Sequence, residues 1–249
     1  MKIYDSTKFN GLPGVFLFDT DNTLYAYDRP HKIGMAAVKA KVVNMFSISD
    51  SDFDRSFALA RENVKKRLSG SAASHSRLLY MQRMLEILGL GSQVLLALDL
   101  EQTYWRTFLG QAVLFDDVKE LLDDIRILGI PAVVVTDLTA QIQFRKLVYF
   151  GLENSFDFVV TSEEAGYDKP HEAPFKMALE KTRVDHGDVW MIGDNPINDI
   201  LGARDTVAAV TLQKMHKGVD LGRDKLAPDA SFENFSELRK IIVKLGQSE

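Results

Sequence analysis

An α/β architecture is expected for this chain of 249 residues: a doubly wound parallel sheet with a small helical bundle inserted after its first strand. Three features lead to it. From about residue 115 onward, short apolar runs alternate with amphipathic helical stretches, the pattern of strands covered on both faces by helices. "VFLF", Val15–Phe18, is one more strand of this kind, far upstream. The stretch between them, to about residue 110, is helical without an intervening strand, which reads as a bundle. The expected division is therefore a core of residues 1–27 and 111–249, with residues 28–110 as the inserted unit.

Each element has its own signal. In the insert, Val38, Val42, Met45 and Phe46 form one apolar stripe. Phe53, Phe57, Ala60, Val64 and Leu68 form a second, entered through the cap-rich "SISDSD". Leu78, Met81, Leu85 and Leu88 make a third helix that stops at Gly89. Leu95, Leu98, Trp105 and Leu109 make a fourth, interrupted by Glu101 and Gln102. "GSAASHS", Gly70–Ser76, is expected to be flexible. In the core, "DDVKELLDDIRILG" is a helix ended by Gly129. "IPAVVVT", "FDFVVTS", "DVWMIGD" and "VAAVTL" are strands, separated by the helices "AQIQFRKLVYFG", "APFKMALEKT" and a short one around "NDILGARD". The tail adds a short strand or loop and a closing helix.

Composition narrows the function. Hydrophobic residues at 46% and charged residues at 26% suit a globular chain. There is no cysteine, which excludes disulfides, thiolate metal sites and cysteine nucleophiles and fits a reducing compartment. Net charge is −5 with the two signs interleaved, unlike the basic footprint of a nucleic-acid binder. No run approaches membrane-spanning length, and "MKIYDSTKFNGLPG" lacks the pattern of a secretory leader. A cytoplasmic protein with a small-molecule partner, and neither nucleic acid nor membrane, is expected.

In a parallel α/β sheet, ligands sit beyond the carboxyl ends of the strands. The polar clusters fall at those ends: Asp19 and Asp21 after "VFLF", Thr136 and Asp137 after "AVVV", Asp194 and then Asp199 after "VWMIG". Side chains alternate along extended chain, so residues 19 and 21 would point the same way if extension persists. Several acids sharing one crevice imply a bound cation or strongly raised pKa values. An all-oxygen donor set suits Mg²⁺.

With these motifs in place, the chain resembles the haloacid dehalogenase (HAD) superfamily over nearly its whole length. "DTDNT" resembles the first motif, Asp-x-Asp-x-Thr. Thr136 resembles the second, Lys169 in "DKPHEAPF" the third, and "GDNPIND" the fourth. The resemblance implies a Rossmann-like core with a helical cap, and catalytic roles for Asp19, Asp21, Thr136 and Lys169. Asp19 would be the nucleophile that forms an aspartyl-phosphate, and Asp21 the acid and then the base. An aspartate at this second position is lacking in the members that break carbon–halogen bonds, so Asp21 implies phosphorus chemistry. Mg²⁺ would be held by Asp19, Asp194 and the backbone carbonyl of Asp21, with Asp199 as an outer ligand or lysine partner. Substrate contacts would come from Thr136, the backbone of Asp137, Lys169 and, in the cap, Arg77.

The implied activity is a Mg²⁺-dependent phosphatase acting on a small phosphorylated metabolite. A phosphomutase or phosphotransferase of the same superfamily, and a non-catalytic partner-binding module, are the alternatives. Plainer readings stand beside each residue. Thr136 and Asp137 suit a helix cap, Asp137 departs from the asparagine usual there, and Lys169 suits a surface. Thr23 is expected to brace its loop. Tyr25 and Tyr27 flank the insertion, and His75 follows the same stretch as Arg77.

Overall fold

The computed structural model describes residues 1–186 and 188–247. The chain divides into two compact units, residues 27–112 and the remainder on either side of them. The inserted unit thus begins at Tyr27 rather than residue 28 and ends at Ala112 rather than 110.

The larger unit is built on a seven-stranded sheet in the order β1-β7-β6-β5-β2-β3-β4. Its strands are β1 (Lys2–Ile3), β2 (Val15–Phe18), β3 (Ala132–Thr136), β4 (Phe158–Thr161), β5 (Val189–Gly193), β6 (Val210–Lys214) and β7 (Ala230–Phe232). All pairings are parallel except β1 with β7. Every residue of β2, β3, β5 and β6 is buried, which is why these segments read as unbroken apolar runs rather than alternating ones. From β2 the chain runs outward through β3 and β4, then returns to place β5 on the other side of β2. The order reverses at β2, and such a reversal opens a crevice at the carboxyl ends of the flanking strands.

Alternation sends the side chains of each strand to two cores. Val15, Leu17, Val133, Val135, Val189 and Met191 share one with Phe175, Ala178 and Leu179 from α8 (Glu172–Thr182) and with Ala203 and Val207 from α9 (Gly202–Val207). On the other face Trp190 meets Phe16 edge-on at 5.6 Å and Phe9 at 5.1 Å. The buried stripes of α5 (Val118–Ile127) and α10 (Phe235–Gly246), Leu121, Leu122 and Ile125 against Phe235, Leu238 and Ile242, pack together. Two further helices, α6 (Ala140–Phe150) and the short α7 (Ser162–Ala165), complete this unit. The two-residue β1 is absent from the expected strands because so short an edge has no periodicity to read.

The smaller unit consists of α1 (Asp28–Phe46), α2 (Asp50–Arg67), α3 (Arg77–Ile87) and α4 (Val94–Leu109). Ser49 caps α2 by accepting from the Asp52 N–H at 3.0 Å, and Lys65, Lys66 and Arg67 occupy its last turn, where cations complement the helix dipole. Two expectations are corrected. Leu95 and Leu98 are exposed, because α4 turns Ala97, Leu100, Tyr104, Trp105 and Phe108 inward instead. "GSAASHS" contains an ordered 3₁₀ turn, Ala72–His75, with Ala72 and Ser74 buried and the Ser74 carbonyl accepting from the Tyr80 hydroxyl. Among the described residues no helix is long and apolar enough to cross a membrane.

Candidate active site

Three acids and a lysine from distant parts of the chain meet at the carboxyl end of the central strands. Asp19 follows β2 directly, and its N–H extends the ladder to the Ile192 carbonyl of β5 at 2.9 Å. Asp194 follows β5. Asp199 lies in a π-helical turn, Pro196–Leu201, a form found often at functional sites. Asn195 opens this turn, its side chain accepting from the N–H groups of Ile197 and Asn198, both at 2.9 Å. Ligand oxygens of Asp19, Asp194 and Asp199 lie within 4.8 Å of one another.

Lys169 ties the cluster together. Its ammonium donates to Asp19 Oδ1 at 2.8 Å, Asp199 Oδ1 at 2.6 Å and the Val135 carbonyl at 2.9 Å, which satisfies all three of its hydrogens. The side chain is 2% exposed, so the plainer reading of Lys169 as a surface lysine does not hold. Burial opposes its charge, but Asp19 and Asp199 outweigh that and raise its pKa above the ordinary value. The Lys169–Pro170 peptide is cis. Thr23 donates to Asp19 Oδ2 at 3.0 Å, the expected brace.

Negative charge is nevertheless in excess, three carboxylates against one ammonium. Burial pushes the Asp19 carboxyl up to about 6, with Lys169 opposing and Asp199 adding to the rise. Asp194 is pushed up to about 9, first by burial and then by the charges of Asp19 and Asp199. A half-buried carboxyl in this state is neutralised by a proton or by a cation. The donor set is all oxygen, which suits a hard divalent ion. Gly193 makes the assembly possible: a Cβ there would lie 2.4 Å from Asp199 Cβ and 2.5 Å from its carboxyl carbon. Asp19, Asp194 and Asp199 together could therefore hold a metal ion.

Asp21 departs from the simplest geometry. Extension does not persist past Asp19, because Thr23 and Leu24 both donate to the Thr20 carbonyl and Asn22 adopts a left-handed φ of 63°. The Asp21 carboxylate consequently meets a different lysine. Lys146 of α6 donates to Asp21 Oδ1 at 2.6 Å and Oδ2 at 2.9 Å, and the Tyr25 hydroxyl donates to Oδ1. The Asp21 carboxylate thus has its own lysine partner and is not one of the three acids that could hold an ion.

Thr136 ends β3 with its hydroxyl in a buried network, paired with Thr20 Oγ1 at 2.8 Å and accepting from Gln143 Nε2 at 2.8 Å. Gln143 also donates to the Asp137 carbonyl at 2.7 Å. Asp137 turns its carboxylate to the Lys169 N–H at 2.8 Å, so the acid standing where asparagine is usual pins the lysine loop. Burial raises its pKa, with Lys169 opposing.

Gln143, Lys146 and Tyr25 are residues whose contacts sequence reasoning missed. A signal existed: Gln143, Lys146, Leu147 and Phe150 share the i, i+3, i+4, i+7 face of α6 and are all buried, so two polar side chains occupy core positions.

In the helical unit, Arg77 is the first residue of α3. Its guanidinium lies 5.3 Å from the Tyr104 ring centroid, 5.5 Å from Tyr80 and 5.8 Å from Trp105. It donates to the His75 carbonyl at 2.7 Å and to the Tyr27 hydroxyl. Beside it, His31 stacks on Tyr27 and pairs with the Tyr104 hydroxyl at 2.8 Å.

The sequence profile of the haloacid dehalogenase-like hydrolases matches residues 16–212, which span Asp19 to Asp199. The chain is 35% identical over 188 residues to a ribulose-1,5-bisphosphate 5-phosphatase of Halopiger xanaduensis, covering 75% of this chain and 79% of that protein. It is 25% identical over 231 residues to a glyceraldehyde 3-phosphate phosphatase of Methanocaldococcus jannaschii, covering 92% and 96%. Among solved structures, a 2-haloacid dehalogenase from Pseudomonas syringae pv. Tomato superposes with a TM-score of 0.73 at 22% identity, covering 92% and 98%, and so shares the fold. With its profile match running through every element that builds the site, the chain belongs to the haloacid dehalogenase-like hydrolase family, and it is an enzyme of that class.

Proposed function

We propose that the protein is a Mg²⁺-dependent phosphatase that hydrolyses a small phosphomonoester through a phosphoryl group carried on Asp19. The observation that carries the reading is the convergence of Asp19, Asp194, Asp199 and Lys169 beyond strands β2 and β5. Asp19 Oδ attacks phosphorus while the ester oxygen departs with a proton from Asp21. Asp21, now a carboxylate, takes a proton from water. That water oxygen bonds to phosphorus, the bond to Asp19 breaks, and inorganic phosphate leaves. Asp19, Asp194, Asp199 and the Asp21 carbonyl are the groups that would hold Mg²⁺, which supplies positive charge against the repulsion between phosphate and carboxylate. Lys169 adds a second fixed positive charge beside the nucleophile. Thr136 and the Asp137 backbone are proposed to meet the transferring phosphoryl group.

The relatives named for ribulose-1,5-bisphosphate and glyceraldehyde 3-phosphate support placing phosphorylated sugars first in a screen. Phosphate release across a panel of phosphorylated metabolites, with Mg²⁺ and with chelator, tests the reading. Release should require Mg²⁺, and Asp19→Asn should lower it roughly a thousandfold or more, as loss of a covalent nucleophile does. Undiminished release by that variant would refute the covalent route.

A further inference from the structure

Asp21 sits in a loop, yet its carboxylate is held from behind by a buried cation that none of the four motifs contains. Lys146 projects from the second turn of α6 with its side chain 2% exposed, whereas the Asp21 side chain is 32% exposed. The pairing is bidentate, at 2.6 and 2.9 Å to the two carboxylate oxygens. Tyr25, itself buried, adds a hydrogen bond to Oδ1 and packs against Phe150 of the same helix at 4.9 Å. The lysine and tyrosine form an inner wall, and the carboxylate keeps an outward flank.

Stability does not explain this arrangement. Taking an ammonium out of water costs several kcal/mol, and a buried ion pair can often be replaced by apolar side chains of similar volume with no loss of stability. The neighbouring face positions of α6, Leu147 and Phe150, are apolar, so methionine or leucine would suit position 146 as packing. What the pair does supply is a fixed rotamer for a carboxylate on a loop. An acid–base group must lie within hydrogen-bond reach of the proton it moves, and small displacements of a reacting group are costly. Gln143, one turn earlier, donates a hydrogen bond to Thr136, so one helix face braces the end of β3 and the loop after β2.

We propose that Lys146, backed by Tyr25, is a positioning residue for the Asp21 carboxylate in proton transfer to the leaving oxygen and from water. The inference rests on the phosphatase reading for its kinetics, but its geometry can be tested without it. In single-turnover cleavage of an alkyl phosphomonoester, Lys146→Met should slow the step by about 10- to 100-fold, a partial loss of the roughly hundredfold or more that a general acid contributes, with KM little changed. Cleavage of p-nitrophenyl phosphate, whose leaving group needs no proton, should suffer much less. Lys146→Arg should restore most of the rate. In an Asp21→Asn background, Lys146→Met should add no further loss, because a residue acting through Asp21 has nothing left to position. Equal losses on both esters, or a full second loss in the Asp21→Asn background, would overturn the proposal. Crystal structures of the wild type and Lys146→Met give the independent arm. The Asp21 side chain should occupy one rotamer in the first and leave it in the second. An unchanged rotamer would overturn the proposal even if no phosphomonoester were hydrolysed, whereas a changed rotamer with no hydrolysis would refute only the phosphatase reading.

Discussion

Gly193 and Asp199 show how narrowly the site is drawn at the level of single residues. Asp199 is 1% exposed and accepts from Lys169 on one oxygen and from the Asn195 N–H, at 3.0 Å, on the other. Its approach to the strand end leaves no space for a side chain at position 193. Gly193→Ala should push Asp199 off Lys169, destabilise the protein by about 1–3 kcal/mol as overpacking does, and lower phosphate release at least about tenfold, since misplaced site residues cost rate steeply. Denaturant titration and steady-state kinetics read the two effects, and a wild-type result in both would show that Asp199 is not fixed by this contact. Asp194 is the residue where like charges accumulate. Burial, and then Asp19 and Asp199, oppose its ionisation, and Asn carries no acid that folding must neutralise, so the metal-free variant should melt higher than metal-free wild type. The motif residues were legible because each stands at a strand end in a recognisable order. The direction of the Asp21 carboxylate was not, since it depends on a turn at Asn22 and on a lysine far along the chain.

Among the elements, α6 and α4 mark where periodicity misleads. The apolar stripe of α6 contains Gln143 and Lys146, which a hydrophobic pattern assigns to solvent although both are buried. In α4 the apolar residues nearly encircle the helix, so a stripe through Leu95 and Leu98 looked as good as the true one through Leu100, Tyr104 and Phe108. By contrast, the central strands were plain in the sequence because burial on both faces makes them continuous apolar runs. The helical unit carries a pH-dependent element of its own. Burial, and then the nearby cations Arg77, Arg61 and Lys32, lower the His31 pKa from 6.5 to about 4, with Asp28 opposing. In that interval the unfolded chain binds a proton that the folded unit resists, so stability should fall as pH drops from 6.5 towards 4. His31→Gln should flatten this acid limb in thermal melts across the interval, while an unchanged slope would assign the limb to other groups.

In the molecule as a whole, a sheet that reverses at β2 brings together acids that follow β2 and β5 and one from the turn after β5. Ligand binding to the folded state alone raises stability by mass action. Mg²⁺ should therefore raise the melting temperature of the wild type, and Asp194→Asn should abolish most of that rise; an equal rise in the variant would place the ion elsewhere. The most direct test of the central claim is the site of phosphorylation. Mass spectrometry of the acid-quenched enzyme, after mixing with Mg²⁺ and a phosphomonoester that it hydrolyses, should find a phosphoryl adduct on the peptide containing Asp19, absent from Asp19→Asn and absent without the metal. An adduct on another residue, or rapid turnover by Asp19→Asn with no adduct at all, would contradict it.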